Sequence, residues 1–93
     1  MIKHFKDKET EKIFNLQRSK KLPVEIHNKA KEQLWILNFA QNINDLQIPF
    51  SNHLEKLQGD RQWQYSIRIN RKWRICFNLH KDNAYNVQII DYH

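Results

Sequence analysis

Ninety-three residues, 40% of them hydrophobic and 12% aromatic, suffice for one modest core and not for two, so a single folded domain over residues 1–93 is expected. A formal charge of +6 and a pI near 9.6 favour a polyanionic partner through long-range attraction, and make nucleic acid a candidate without selecting it. The lone Cys76 excludes an internal disulfide and a cysteine-based zinc cluster. With neither a membrane-length apolar run nor a secretory leader in Met1-Ile2-Lys3-His4-Phe5-Lys6, the chain is expected to be soluble and cytoplasmic.

The charge is uneven along the chain: residues 1–22 contribute +4, residues 23–50 contribute −1 and residues 51–93 contribute +3. Ile2 to Phe5 alternates apolar and polar side chains too briefly to stand alone, which predicts a short strand paired with a later one. Asp7 then precedes an amphipathic helix in which Thr10, Ile13, Phe14 and Gln17 recur at three- and four-residue spacing. Arg18-Ser19-Lys20-Lys21 is a basic connector, and Pro23 suits the first turn of a second helix because its missing N–H has no partner there. In that helix Ile26, Ala30, Leu34 and Leu37 form the apolar stripe, widened by Trp35, Phe39 and Ala40. Asn42 to Pro49 reads as turn and loop.

Beyond Pro49 the period changes from near four to two. Leu54 and Leu57 flank a short segment that runs into Gln58-Gly59-Asp60, a turn built on the only glycine. Tyr65–Ile69, Trp73–Leu79 and Tyr85–Ile89 then alternate, separated by polar connections of hairpin length, and predict a meander of three antiparallel strands. Tyr65, Ile67, Ile69, Trp73, Ile75, Phe77 and Leu79 are expected to face the helices, leaving Ser66, Arg68, Arg74, Cys76 and Asn78 displayed on the other side. The fold class is α+β, with two N-terminal helices packed on one face of a mainly antiparallel twisted sheet.

Candidate chemistry concentrates near the end of the sequence. Val87, Ile89 and Ile90 tie the last strand into the sheet, so Asp91-Tyr92-His93 is expected to be held in place. An imidazole, a phenol and a carboxylate can exchange and orient the proton of a ribose 2′-hydroxyl; the ordinary alternative is a packed Tyr92, an ion-paired Asp91 and an exposed His93. Arg68 and Arg74, with Arg61, Arg71 and Lys72 nearby, can grip a phosphate and offset charge developing on it; equally, strand arginines solvate an open sheet face. Trp63, Tyr65 and Tyr92 offer surfaces for base stacking. The five histidines lack metal-ligand spacing, and one glycine leaves no room for a phosphate loop, so neither a metal nor another cofactor is expected. His53 stands in a loop two residues before Glu55 and can approach the sheet face, although a lone loop histidine is more often incidental.

Gly59-Asp60-Arg61, Tyr65-Ser66-Ile67-Arg68-Ile69-Asn70, Trp73-Arg74-Ile75-Cys76-Phe77 and the closing Asp91-Tyr92-His93 together resemble the HigB-type toxins of the RelE/ParE superfamily. The resemblance implies a RelE-like fold and a type II toxin that enters the ribosomal A site and cuts mRNA. Cleavage would proceed by 2′-hydroxyl attack on the adjacent phosphate without metal. The implied partners are the ribosome, mRNA and a neutralising HigA-like helix-turn-helix antitoxin, and no membrane is involved. It gives Asp91, Tyr92 and His93 the catalytic role, and it makes Arg74 a support for the site as much as a phosphate contact. Arg68, Arg61 and Lys56 complete the expected phosphate-binding set. Some toxins of this type carry a histidine and a lysine just before Gly-Asp-Arg, where this chain has Glu55 and Gln58. The alternative on the same scaffold is a ParE-like, non-enzymatic poison of DNA gyrase.

Overall fold

The computed structural model describes residues 1–57 and 64–91. Helix α1 spans Lys8–Phe14 and α2 spans His27–Phe39. Four strands follow: β1 Glu55–Lys56, β2 Gln64–Arg68, β3 Trp73–His80 and β4 Asn83–Asp91. They form one antiparallel sheet in the order β1-β2-β3-β4, with the helices on one face, as the α+β pattern predicts. No helix among the described residues is long and apolar enough to cross a membrane.

Local chemistry sets the boundaries. The Asp7 carboxylate caps α1 by accepting from the Thr10 amide at 2.7 Å, satisfying one of the helix's orphan donors. The connector after α1 is fastened by Ser19, whose hydroxyl donates to Glu9 at 2.6 Å and accepts from the Lys21 and Leu22 amides. That bond, ahead of the weaker pull of Lys12, holds the Glu9 carboxyl below its usual range. The stabilisation from a depressed carboxyl is therefore present above its unfolded-state value and fades as pH falls through the folded one. One turn of 3₁₀ helix, Val24–Ile26, precedes α2, so Pro23 stands just outside it. Ile26, Ala30, Leu34 and Leu37 are buried as the stripe predicts. Phe39 is not: it is 70% exposed and meets Trp35 at the end of an aromatic chain that runs from Phe5 through Phe14.

The β3–β4 hairpin turns on Lys81 and Asp82, both at positive φ, the geometry whose twist matches a two-residue connection. This turn opposes Leu79 to Ala84, and strict alternation from there would send Val87 and Ile89 away from the helices. A bulge prevents that. Asn86, at φ 53°, sits where the register jumps from Asn78↔Tyr85 to Cys76↔Gln88. Ala84, Val87 and Ile89 all enter the core as a result, and Tyr85 does not.

The outer edge of β4 is closed by the N-terminal segment, as its alternation suggests. Ile2 and Phe5 bridge Ala84 and Val87 in parallel, and the next exposed donor, the Ile89 amide, is taken by the buried Thr10 hydroxyl at 2.9 Å. Thr10→Val keeps the shape but orphans that amide. It should cost about 1–3 kcal/mol in denaturant unfolding and abolish Ile89 amide protection in hydrogen exchange. Separately, Ser19→Ala should return the Glu9 titration midpoint to the ordinary carboxylate range, as read by carbon NMR.

Candidate functional site

Strand parity divides the candidates between two faces. Arg68 and Arg74 are direct cross-strand partners, and with Ser66 and Cys76 they lie on the face opposite the helices. Two guanidinium groups set opposite one another repel unless something intervenes. Here the segment that rounds the β2 edge intervenes. The His53 carbonyl accepts from Arg74 Nη2, and the His53 ring lies with Nε2 at 3.3 Å from Arg68 Nη1. Arginine can only donate, so a hydrogen bond in this contact is accepted by Nε2.

Arg74 is the better anchored of the two. Its Nε donates to the Ser66 hydroxyl at 2.8 Å and Nη2 reaches the Ser66 carbonyl at 3.4 Å, while Nη1 stands 4.0 Å from Glu55. The expectation that this face is displayed is therefore corrected for three residues: Arg74 is only 7% exposed, and Ser66 and Cys76 are buried. Residues 53–55 run along the β2 edge and bring acceptors to Arg74, the His53 carbonyl and the Glu55 carboxylate. Arg68 remains half-buried, with further N–H donors on its guanidinium beyond the one given to His53.

What holds residues 53–55 there is polar and deep. Asn52 closes the 3₁₀ turn Phe50–Asn52, and His53 follows in the left-handed region at φ 44°, a conformation that histidine and asparagine enter more readily than most residues. The Asn52 side chain donates to the Leu46 carbonyl at 3.2 Å and accepts from Gln33 of α2 at 3.0 Å. The same Gln33 amide nitrogen donates to the Arg68 carbonyl at 2.8 Å.

The remaining candidates are distributed as follows. Asp91 pairs in register with Trp73, on the helix-side face, and its carboxylate lies 3.5 Å from Lys72, an exposed pair of small energetic weight. The bulge at Asn86 is what gives Asp91 that parity. Lys56 is in register with Tyr65, so its side chain leaves β1 on the face away from the arginines. Tyr65 stacks on Phe77 on the core side and is no stacking surface for the arginine face. Arg61, Trp63, Tyr92 and His93, with the turn at Gly59, lie outside the described residues.

No His/Cys/Asp/Glu group among the described residues could hold a metal. Two open grooves, of about 260 and 370 Å³, lie beside α1 and beside the end of α2, and neither is lined by these residues. Among the described residues the candidate site lies on the sheet face opposite the helices, outside both grooves. Sequence reasoning discounted His53; its signal was the Asn52-His53 pair following Pro49, residue types that accept a left-handed turn where the chain must bend onto the sheet.

Two helices on one side of a four-stranded antiparallel sheet, with a buried and a half-buried arginine and an imidazole on the other, define a RelE-like architecture. The chain belongs to the HigB-like toxins: residues 3–93 match the family described as RelE-like toxin of type II toxin-antitoxin system HigB. It is 37% identical over 78 residues to Toxin HigB-1 of Vibrio cholerae serotype O1, covering 83% of this chain and 82% of that one. It is 30% identical to Endoribonuclease HigB of Proteus vulgaris over the full length of both, and 29% identical over 87 residues to an uncharacterized protein of Haemophilus influenzae, covering 92% and 86% of the two chains. As a type II toxin the chain has an antitoxin for a partner.

The two arginines predict opposite outcomes for one substitution. Arg74→Lys replaces a fork that meets several acceptors by a single ammonium, and should lower unfolding stability by about 2 kcal/mol. Arg68→Lys, on a half-buried side chain, should change it by less than about 0.5 kcal/mol. Urea denaturation of both variants distinguishes them.

Proposed function

We propose that this toxin is an endoribonuclease that cuts mRNA on the ribosome, working as one domain over residues 1–93 in the cytoplasm. The observation that carries the reading is the Arg68 guanidinium on the open sheet face, oriented by the His53 ring and backed by the buried Arg74. A phosphodiester laid on that face meets a planar cation with donors to spare, the arrangement that stabilises charge developing on a phosphoryl oxygen. The fold family and the name of the Proteus vulgaris relative support the same reaction class.

The chemistry needs no metal. The 2′-hydroxyl of one nucleotide loses its proton, its oxygen bonds to the adjacent phosphorus, and the bond to the departing 5′-oxygen breaks. That oxygen takes up a proton, leaving a cyclic 2′,3′-phosphate and a 5′-hydroxyl. In this reading His93 exchanges the protons, Tyr92 contributes its hydroxyl, and Asp91 orients them at the end of β4. Arg68 and Arg61 bind phosphate with Lys56 as an outlying cation, and Arg74 supports the face from beneath. The ribosomal A site holds the codon extended, which suits an open face better than an enclosed pocket. The antitoxin is a helix-turn-helix protein encoded beside the toxin.

Brief induction in growing bacteria should arrest growth and produce mRNA ends in frame with translated codons, and His93→Ala should reduce the cutting by at least a hundredfold. Mapping transcript ends checks both. Intact transcripts accompanied by DNA damage signalling would replace this reading with gyrase poisoning.

A further inference from the structure

Gln33 is an uncommon residue to find in the heart of a helix–sheet interface. It is 1% exposed and buried within α2, whose stripe is otherwise apolar. Its bonds leave little freedom in how the amide is turned. Asn52 gives its own amide nitrogen to the Leu46 carbonyl, so it can offer Gln33 only an oxygen. Arg68 offers a backbone oxygen from the other side. One amide nitrogen thus stands between two acceptors, one at the base of the loop that carries His53 and the other on the backbone of Arg68.

This arrangement has a local disadvantage. Gln33 Oε1 is buried without a hydrogen-bond partner among the described residues. An apolar residue would remove that orphan, although it would in turn unpair the Asn52 oxygen and the Arg68 carbonyl. Geometry supplies a second role. Asn52 is adjacent to His53, whose ring contacts Arg68 and whose carbonyl accepts from Arg74. Gln33 therefore fixes both halves of the His53–Arg68 contact from a single atom, and does so from the protected side of the sheet edge.

We infer that Gln33 and Asn52 are positioning residues: a buried amide pair, reaching from α2, that sets the separation and orientation of the His53 ring and the Arg68 guanidinium on the open face. The inference rests on the ribonuclease reading only for its kinetic consequence. The pair touches no substrate and acts through the two residues it holds. Loosening it lets the loop and the end of β2 move independently, so the guanidinium meets a bound phosphate in many orientations instead of one, and turnover falls more than binding.

The test compares Gln33→Met, which keeps length and removes the donor, with Ile13→Val, a buried change in α1 away from the site. Thermal melting and ribosome-bound mRNA cleavage are measured on the intact chain, alone and in a His53→Ala background. The expected result is a tenfold or larger fall in kcat for Gln33→Met, with KM within about threefold, against less than twofold for Ile13→Val. The Gln33→Met loss should largely vanish once His53 is already alanine. Equal kcat loss per degree of melting temperature in the two single variants, or full multiplication of effects in the double, would overturn the inference.

Imidazole NMR gives a readout that needs no cleavage. His53 should show one dominant tautomer in the parent chain, and a shifted, broadened signal in Gln33→Met. An unchanged signal overturns positioning even if the chain cuts RNA. If the parent chain cuts no RNA, the ribonuclease reading fails by itself and the NMR comparison still decides the clamp. Should Gln33→Met not fold, Asn52→Asp, which keeps the oxygen facing Gln33 and loses the donor to Leu46, is read by the same two measurements.

Discussion

Burying the Arg74 guanidinium is the constraint from which the arrangement of the outer face follows. A permanent cation can be taken out of water only if its N–H groups find acceptors, because the charge cannot be discarded by deprotonation. β-sheet backbone offers few acceptors to a side chain on its face. Among the described residues, Ser66 supplies its hydroxyl and carbonyl from the neighbouring strand, and the segment at the sheet edge supplies the His53 carbonyl and the Glu55 carboxylate. The loop that supplies these acceptors, held from below by Asn52 and Gln33, also delivers a histidine ring to the neighbouring arginine.

The result is a division of labour between two like residues in direct register. Arg74 spends its donors inward and becomes part of the framework. Arg68, held at its backbone by Gln33 and at its head by His53, keeps further N–H donors. Repulsion between the two cations, which would otherwise oppose pairing them, is offset because Arg74 is surrounded by oxygens. On the function proposed above, this sheet is a rigid support from which Arg68 would meet a phosphate of the RNA.

Much of this was legible in the residues. The 3.6-period stripe of Ile26, Ala30, Leu34 and Leu37 and the two-residue period of β2 and β3 gave helices, strands and core faces, since each pattern is the direct projection of backbone geometry onto side-chain order. The Asp7 cap and the polar hairpin at Lys81-Asp82 were equally local. The burial of Arg74 was not legible because an arginine on an outward strand position looks the same in sequence whether or not a distant segment later brings acceptors to it. His53 was discounted for the complementary reason: nothing within the loop announces the sheet residue that it will meet.

By itself, then, the sequence determined the fold class, the paired arginines, the basic character and the family, all of which depend on residue type and short spacing. Only the tertiary structure decided which arginine would be buried and which oriented by an imidazole, and that a bulge at Asn86 would carry Asp91 to the helix side of the sheet, against Lys72. Those outcomes turn on contacts between residues far apart in the chain, Gln33 with Arg68 and His53 with Arg74, and on one inserted residue that reverses strand parity. Periodicity carries no record of either, because each is settled by which acceptors and which register the assembled core makes available.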